Sequence, residues 1–208
     1  MKRFGRAKLV GLTLPPLACA AAAAVFLLQP LDYCPPSGAA LTPARRDFLR
    51  LKNRDAPPSP QDFDARVTLE ALSLAGEDRG RWSESRAGAV EGYVVEVVEG
   101  GAEAANCFSY RERDTHIHVA SRADAPRAEW VVLEVTPRSR ARAAAGGRDW
   151  SAETLRRELV GRPCRFEGWL LFDREHAGES ENIAPGRAGN WRATAWELHP
   201  VTAIEVLK

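Results

Sequence analysis

The chain has 208 residues, 45% of them hydrophobic and 27% charged, and a formal net charge of +1. That length and composition suit one globular domain with short appendages. The near-neutral charge argues against a nucleic-acid-binding protein, because phosphate neutralisation usually needs a clear basic excess.

The N-terminus combines a basic flank with a long apolar run. Lysines and arginines at positions 2, 3, 6 and 8 precede an uncharged run from Leu9 to Leu28, which as a helix would span roughly 30 Å, the thickness of a bilayer core. We predict a signal peptide or an inner-membrane anchor over residues 1–30. The length favours the anchor, whereas Pro15 and Pro16 weaken a continuous helix, and lipidation at Cys19 is a third alternative. In each case the rest is exported, to the periplasmic or cell-surface side.

Residues 31–65 are predicted to be a linker that contains a short helix. Proline, glycine and alanine dominate up to Pro43, and three more prolines lie within Asp55–Pro60. A helix can begin after Thr42, whose side chain suits an N-cap, with proline at the first helical position. Its apolar residues are few, so we expect it at the periphery. A second short helix is expected within Thr68–Leu74.

The remaining chain, residues 66–208, has the pattern of a small β domain. Four runs rich in β-branched and aromatic residues, each bounded by turn residues, predict strands. They are residues 90–98, 115–120, 130–136 and 165–172. One helix, Ser151–Val160, is predicted between the third and fourth strands, with its first serine as N-cap. The closing residues 191–198 and 201–207 are expected to form a strand pair around a turn.

This order of elements predicts the fold class. Three strands, a helix and then two or more strands is the order of an OB-type barrel, whereas a doubly wound sheet would need several helices among its strands. We predict a mainly β protein, a small OB-like five-stranded barrel with one helix between strands three and four. The N-terminal hydrophobic helix precedes this barrel.

The closing residues Trp191–Val206 contain the pattern Trp-Arg-Ala-Thr-x-Trp-Glu-x-His-Pro-Val-Thr. Upstream blocks accompany it: Gly92-Tyr-Val, Gly100-Gly-x-Glu103, Asn106-Cys107, Asp114-x-His116-Ile, Val135-Thr-Pro-Arg138, Leu159-x-Gly161 and Gly168-Trp-Leu-x-Phe-Asp-x-Glu-His176. Together they resemble an uncharacterised family of bacterial exported OB-fold-like proteins over residues 66–208. The resemblance implies the barrel fold and export, and it implies no activity.

Alternating polar residues on the second strand are the first candidate site. His116 and His118 share one strand face with Asp114, because side chains two residues apart point the same way. Histidine and carboxylate are frequent metal ligands, and His176 after strand four completes a candidate set for a divalent metal cofactor. The competing interpretation is a solvated strand face, since no compact ligand spacing such as His-x-x-x-His occurs.

Charged residues before the helix and in the closing turn are candidates for binding another ligand. Arg138 and Arg140 could bind an anion beside the barrel. His199 and Glu197 are the candidates in the closing turn. The competing interpretation of the arginines is a flexible, solvated loop, which the following Ala-Ala-Ala-Gly-Gly sequence favours.

Two of the four cysteines, Cys107 and Cys164, fall in the predicted β domain. A disulfide bond between them is plausible in an oxidising compartment. As free thiols they would instead behave as small buried hydrophobes. No Cys-x-x-Cys occurs, so the spacing excludes a zinc ribbon or a thioredoxin-type site.

These features lead to three functional hypotheses. The first is an exported or membrane-anchored OB-like binding module for a protein or oligosaccharide ligand, with nucleic acid as a weaker alternative. The second is an exported metal-dependent hydrolase such as a nuclease, acting through Asp114, His116 and His118. The third is a structural envelope domain. Convergence of the polar side chains would favour the enzyme, and their scattering would argue against it.

Overall fold

The computed structural model describes residues 33–208. The predicted hydrophobic helix over residues 1–30, and with it the choice between signal peptide and membrane anchor, lies outside these residues. Within the described part of the chain, no helix combines the length and the apolar character that crossing a membrane requires.

Five strands close into a small barrel. They are β1 (Ala87–Glu99), β2 (Thr115–Ala120), β3 (Val131–Val135), β4 (Pro163–Phe172) and β5 (Trp196–Val206). Their order around the barrel is β1-β2-β3-β5-β4, and all neighbours are antiparallel except β3 and β5, which run parallel. The pairing of β1 with β4 closes the sheet. The prediction of a mainly β protein built on a small five-stranded barrel is confirmed.

The barrel interior is filled by alternate residues of the strands. Ile117 on β2, Leu133 on β3 and Phe166 on β4 are completely buried there, together with Leu198 on β5. The residues between them on β2, β3 and β5 therefore face the outside of the barrel. This alternation decides which side chains are available for a site.

The last strand is one continuous element, so the predicted closing strand pair is wrong. β5 passes through the cis His199–Pro200 peptide bond and pairs with β4 on both sides of it. Proline has no N–H to donate and is tolerated where a ladder is irregular, and the β4–β5 register shifts around Gly168. A Cβ atom at Gly168 would lie 2.6 Å from the Pro200 carbonyl oxygen, so glycine permits this close approach.

Two helices connect β3 to β4, so the prediction of one helix there is wrong. The helices of the described chain are α1 (Pro43–Lys52), α2 (Leu69–Ser73), α3 (Pro137–Ala145) and α4 (Ala152–Leu159), with short 3-10 turns at Pro60–Asp62, Ala104–Asn106, Arg127–Glu129 and Ala177–Glu179. Helix α3 replaces the expected loop because Thr136 caps it through the Ser139 amide and alanine and arginine favour helix. Helix α4 lies where predicted, capped by Ser151.

Residues 33–54, which we call the cover segment, pack against the outside of the barrel. Helix α1 within it matches the short helix predicted there. Its Phe48 and Leu49 are buried against Ala105 and Leu171. The cover segment is therefore part of the folded domain and not the free linker that its composition indicated.

A disulfide bond fixes the cover segment to the β1–β2 loop. Cys34 is bonded to Cys107, with Cα atoms 5.7 Å apart, so the predicted Cys107–Cys164 bond is wrong. Cys164 is a free thiol in the barrel core, where the disulfide partner on the outer loop cannot reach it. At the other end of the cover segment, Asn53 donates a hydrogen bond to the Ala105 carbonyl oxygen at 2.8 Å. Both ends of the segment are thus attached to the same loop.

Candidate functional site

The outer surface of β2, β3 and β5 carries polar side chains that are shielded from solvent. The register places His116 on β2 opposite Glu134 on β3, and β3 lies beside β5, which carries Glu197 and His199. Helix α1 contacts both β5 and the Ala104–Asn106 turn. The cover segment and the β1–β2 loop therefore enclose a polar barrel face that would otherwise meet water.

Three of the enclosed residues, Asp114, Glu134 and His199, converge; we call them the acidic centre. One oxygen or nitrogen atom of each lies within 4.8 Å of the corresponding atoms of the other two. Asp114 Oδ2 is 3.9 Å from His199 Nε2, and Glu134 Oε2 is 3.1 Å from His199 Nδ1. The three residues are only 1%, 5% and 0% exposed, respectively. Two carboxyl groups thus meet an imidazole in the interior of the protein.

The hydrogen bonds at the acidic centre leave one atom of each residue unsatisfied. His199 Nδ1 lies 3.1 Å from Glu134 Oε2 and 3.3 Å from Glu197 Oε2, so a proton on Nδ1 can be shared with either carboxyl group. Asp114 Oδ1 accepts from the Asn106 amide at 3.0 Å. Within the described residues, Asp114 Oδ2, Glu134 Oε2 and His199 Nε2 are buried and make no hydrogen bond, although Glu134 Oε2 lies 3.1 Å from His199 Nδ1. Each such atom costs about 1–3 kcal/mol, so all three are available to a bound group.

Lys52, at the end of α1, brings a positive charge to the edge of the acidic centre. Its Nζ donates to Glu103 Oε2 at 2.6 Å, and its side chain is nearly buried. Burial alone would lower the pKa of Lys52, but the charges of Glu134, Glu103 and Asp114 outweigh this effect and raise it. The ammonium group is therefore charged; it is hydrogen-bonded to Glu103 and also attracts the carboxyls of Glu134 and Asp114.

Arg192, in the β4–β5 loop, brings the second positive charge. Its guanidinium donates to Asp173 Oδ2 at 3.0 Å and to Glu197 Oε1 at 2.7 Å. His176 Nδ1 lies 2.8 Å from the same Asp173 oxygen, and this hydrogen bond raises the pKa of His176. Asp173 and Glu197 are therefore both matched by positive groups.

Asp114 and Glu134 have no comparable cation among the described residues. Their imidazole neighbours are neutral at pH 7, because burial lowers the pKa of His199 and lowers that of His116 to about 4. Burial, with the nearby Glu103 carboxylate, holds the pKa of Asp114 well above its ordinary value. Burial and other acidic charges do the same to Glu134. Both groups therefore favour the uptake of protons or of another positive charge.

The structure separates the four residues that the sequence offered as metal ligands. Asp114 belongs to the acidic centre, and His116 borders it, with its Nε2 3.4 Å from Glu134 Oε1. His118 lies further along β2 and its Nδ1 is 3.0 Å from a different carboxylate. His176 is half-exposed and pairs with an aspartate of the β4–β5 loop. The predicted set therefore does not converge as a whole.

The four residues predicted to bind another ligand also fall into two separate groups. Arg138 donates to a carbonyl oxygen of the cover segment at 2.6 Å, and Arg140 donates to a carbonyl oxygen of the β1–β2 loop at 3.1 Å. Both arginines therefore hold backbone segments together. His199 lies in the acidic centre, and Glu197 orients it.

Sequence reasoning missed Glu134, Lys52 and Arg192. Glu134 is the one charged residue within the otherwise apolar β3, and a lone carboxylate in such a strand is a signal that could have been used. Lys52 is one of only four lysines in a chain rich in arginine, which is a much weaker signal. Arg192 stands in the closing Trp-Arg-Ala-Thr pattern, but that pattern does not show that its side chain is buried.

Asp114→Asn is expected to flatten the pH dependence of stability in chelator-treated protein. A carboxyl whose pKa rises on folding stabilises the fold fully below its unfolded pKa of about 4. That contribution is lost as pH rises towards the folded pKa, by up to about 1.4 kcal/mol per pH unit. The difference in unfolding free energy, variant minus wild type, should therefore increase by at least about 1 kcal/mol between pH 5 and pH 8.

Urea unfolding at several pH values in this range measures that difference. The matched control is Asp124→Asn, which alters an aspartate whose side chain is 88% exposed and should shift stability equally at every pH. A constant difference for Asp114→Asn as well would show that burial does not raise the pKa of Asp114.

Comparison with known protein families, with curated proteins and with solved structures finds no match to this chain. Function must therefore be inferred from the residues themselves. Their arrangement offers one oxygen of each of two buried carboxyls and one imidazole nitrogen that make no hydrogen bond among the described residues. Chemically, such a set can accept protons or bind a positively charged group.

Proposed function

We propose that the chain is an exported OB-like binding module whose acidic centre takes a positively charged ligand. The strand order β1-β2-β3-β5-β4, with helices between β3 and β4, supports the OB-like assignment. OB folds bind their ligands on the face of strands two and three and through the loops that follow strands one and four.

The position of the acidic centre agrees with this assignment. Glu134 comes from β3, and Asp114 ends the loop between β1 and β2. Arg192 and Asp173, which flank the centre, come from the loop between β4 and β5. All three parts of an OB binding surface thus contribute to one cluster of charged side chains.

The observation that carries the proposal is a pair of buried carboxyls, Asp114 and Glu134, that no cation of the described residues contacts directly. A fold gains nothing from an unmatched buried charge, since each costs several kcal/mol relative to a paired or apolar group. Perturbed carboxyls that converge in this way are typical of functional sites. A positively charged ligand would remove the cost of burying these carboxyl groups, and the gain would contribute to the free energy of binding.

Burial favours binding over the alternative of a metal-dependent hydrolase. A catalytic metal needs an open position for water and substrate, whereas the acidic centre is at most 5% exposed. The negative charge of the site also argues against nucleic acid as the ligand, because carboxylates repel phosphate groups. In a purely structural domain the unmatched carboxyls would only lower stability.

Export is supported by the disulfide bond. Such bonds persist in oxidising compartments and are rare in the cytosol, and Cys34–Cys107 joins the cover segment to the domain. Cell fractionation, with thiol labelling before and after reduction, tests this part. Recovery of the chain in the cytosol with all four cysteines labelled before reduction would contradict export.

Thermal unfolding of the full-length chain in detergent tests the ligand. Divalent metal chlorides, spermidine, a single-stranded oligonucleotide and a chitooligosaccharide are added separately. We expect a positively charged ligand to raise Tm by about 5–10 °C at 100 times its Kd and to have little effect on Glu134→Gln. Stabilisation by the oligonucleotide or the oligosaccharide alone, equal in both proteins, would place the site elsewhere.

A further inference from the structure

We propose that the ligand of the acidic centre is a divalent transition-metal ion, bound by Asp114 Oδ2, Glu134 Oε2 and His199 Nε2. This inference rests on the proposed binding function and names its ligand. The donor set differs from the one that the strand pattern predicted, because two of the three donors lie on β3 and β5.

The geometry of the donor atoms suits one ion. Two ligands that each bind at about 2.1 Å lie between about 3 and 4.2 Å apart. Asp114 Oδ2 and His199 Nε2 are 3.9 Å apart, one oxygen of Glu134 lies within 4.8 Å of an oxygen of Asp114 and a ring nitrogen of His199, and Glu134 Oε2 is 3.1 Å from His199 Nδ1. To bind an ion at His199 Nε2, the Glu134 carboxylate would have to rotate away from Nδ1, which its Oε2 meets at 3.1 Å.

Among the described residues, the three donor atoms make no hydrogen bond, although Glu134 Oε2 lies 3.1 Å from His199 Nδ1. Each is buried and lacks a hydrogen bond, while the second polar atom of Asp114 and of His199 is engaged by the protein. An ion would satisfy all three atoms at once, in exchange for the proton through which Asp114 interacts with Glu103. Hydrogen bonding elsewhere on each residue is thus already arranged for ligation.

Glu197 and Arg192 position the imidazole. Glu197 Oε2 lies 3.3 Å from His199 Nδ1, and with the proton on Nδ1 the unprotonated Nε2 faces Asp114 Oδ2 at 3.9 Å. The other Glu197 oxygen accepts from Arg192 at 2.7 Å. A carboxylate that holds the far nitrogen of a histidine is the usual support of a metal-binding imidazole.

The charge of the ion matches the deficit of the site. Glu103, Asp173 and Glu197 are matched by Lys52 and Arg192 together with a histidine. The remaining Asp114 and Glu134 carry two negative charges when ionised, so a doubly charged ion neutralises them. Lys52 attracts both carboxyls through space, but its hydrogen bond is made to Glu103.

The chemistry of the donors selects the class of ion. Ca²⁺ and Mg²⁺ prefer sites made of oxygen atoms alone. An imidazole nitrogen with two carboxylates suits Zn²⁺, Mn²⁺ or another first-row ion. Access is provided at the edge of the centre, where the side chains of Glu103 and His116 remain 27% and 28% exposed.

Isothermal titration of the full-length chain tests the proposal, after purification in detergent and removal of metal by a chelator. ZnCl2, MnCl2 and CaCl2 are titrated separately. We expect Zn²⁺ or Mn²⁺ to bind at one ion per chain and to raise Tm, and Ca²⁺ to bind at least tenfold more weakly. The absence of saturable binding by Zn²⁺ and Mn²⁺ would overturn the proposal.

Glu134→Gln identifies the site, because it keeps the shape of the side chain and removes its charge. We expect the affinity for Zn²⁺ or Mn²⁺ to fall at least 100-fold. The variant should keep or increase its Tm in the presence of chelator, since it relieves repulsion within the centre, and this confirms that it is folded. Unchanged affinity in this folded variant would refute the assignment.

His176→Asn is the matched control for ions that bind surface histidines, since His176 is half-exposed. It should bind Zn²⁺ as the wild type does, and an equal loss of affinity in this control would contradict the proposal. Spermidine distinguishes the proposal that the acidic centre binds a positively charged ligand from the proposal that this ligand is a metal ion. If spermidine stabilises the wild type but not Glu134→Gln, and no metal binds, the metal is excluded and the binding module stands; if nothing binds, both fail.

Discussion

Replacement of Cys34 and Cys107 by serine is expected to lower the free energy of unfolding by about 4 kcal/mol. The bond joins residues 73 positions apart, and closing a loop of that size restricts the unfolded chain far more than the folded one. Urea unfolding followed by tryptophan fluorescence measures the change. Since an ordinary domain is stable by about 5–15 kcal/mol, the variant should unfold at a much lower urea concentration.

Reductant provides the matched control for this prediction. It should destabilise the wild type to the level of the double variant and have no effect on the double variant itself, because Cys164 is the one other cysteine in the described chain and is already a thiol. Wild-type protein that unfolds at the same urea concentration with and without reductant would contradict the prediction.

The loss should also be visible locally, in the cover segment. Helix α1 buries few side chains, chiefly Phe48 and Leu49, so much of its attachment comes from the disulfide bond. Amide hydrogen exchange of the reduced protein should therefore accelerate more in α1 than in β2 or β3. Equal acceleration in all three elements would mean that the bond stabilises only the barrel as a whole.

The barrel could be predicted because its strands carry the pattern of their own burial. Val90, Ile117 and Leu133 are core residues. Each stands either between polar or small neighbours or in an apolar run that turn residues end, and both patterns predict a strand. Helix α3 was missed because charged and alanine-rich residues are common to solvated loops and surface helices. The continuous β5 was missed because proline ordinarily ends a strand, and the irregular pairing with β4 that tolerates it is a tertiary feature.

The cover segment could not be predicted for a related reason. Its composition is that of a linker, and its attachment depends on partners far away in the sequence. Cys34 bonds a residue of the β1–β2 loop, and Arg138 of α3 donates to the Cys34 carbonyl oxygen at 2.6 Å. Neither contact leaves a periodic signal in the sequence.

The candidate site was predicted only in part. Asp114 and His199 were each singled out, but in different sets, because no local spacing relates a residue before β2 to one on β5. Glu134, which lies between them, was treated as part of an apolar strand. The parallel pairing of β3 with β5 brings the three together, and such pairing is a property of the barrel that no single strand encodes.

Arg192→Met is expected to destabilise the protein by about 3–5 kcal/mol. The guanidinium is 1% exposed and donates to both Asp173 and Glu197. Methionine has a similar volume, so the variant keeps the packing and leaves two buried carboxylates without their cation. The loss should be partly recovered by adding Asp173→Asn and Glu197→Gln, which remove those charges, and urea unfolding of the three proteins measures it.

Arg165→Met is the comparison that separates burial from charge pairing as such. Arg165 also meets two carboxylates, Glu91 and Glu167, at 3.1 and 3.0 Å, but this cluster is exposed to solvent, so its loss should cost at most about 1 kcal/mol. If both variants lost the same stability, desolvation would not be the source of the Arg192 effect. If only Arg192→Met is costly, the β4–β5 loop owes its position beside the acidic centre to one buried cation, and the Glu197 carboxylate that orients His199 depends on it.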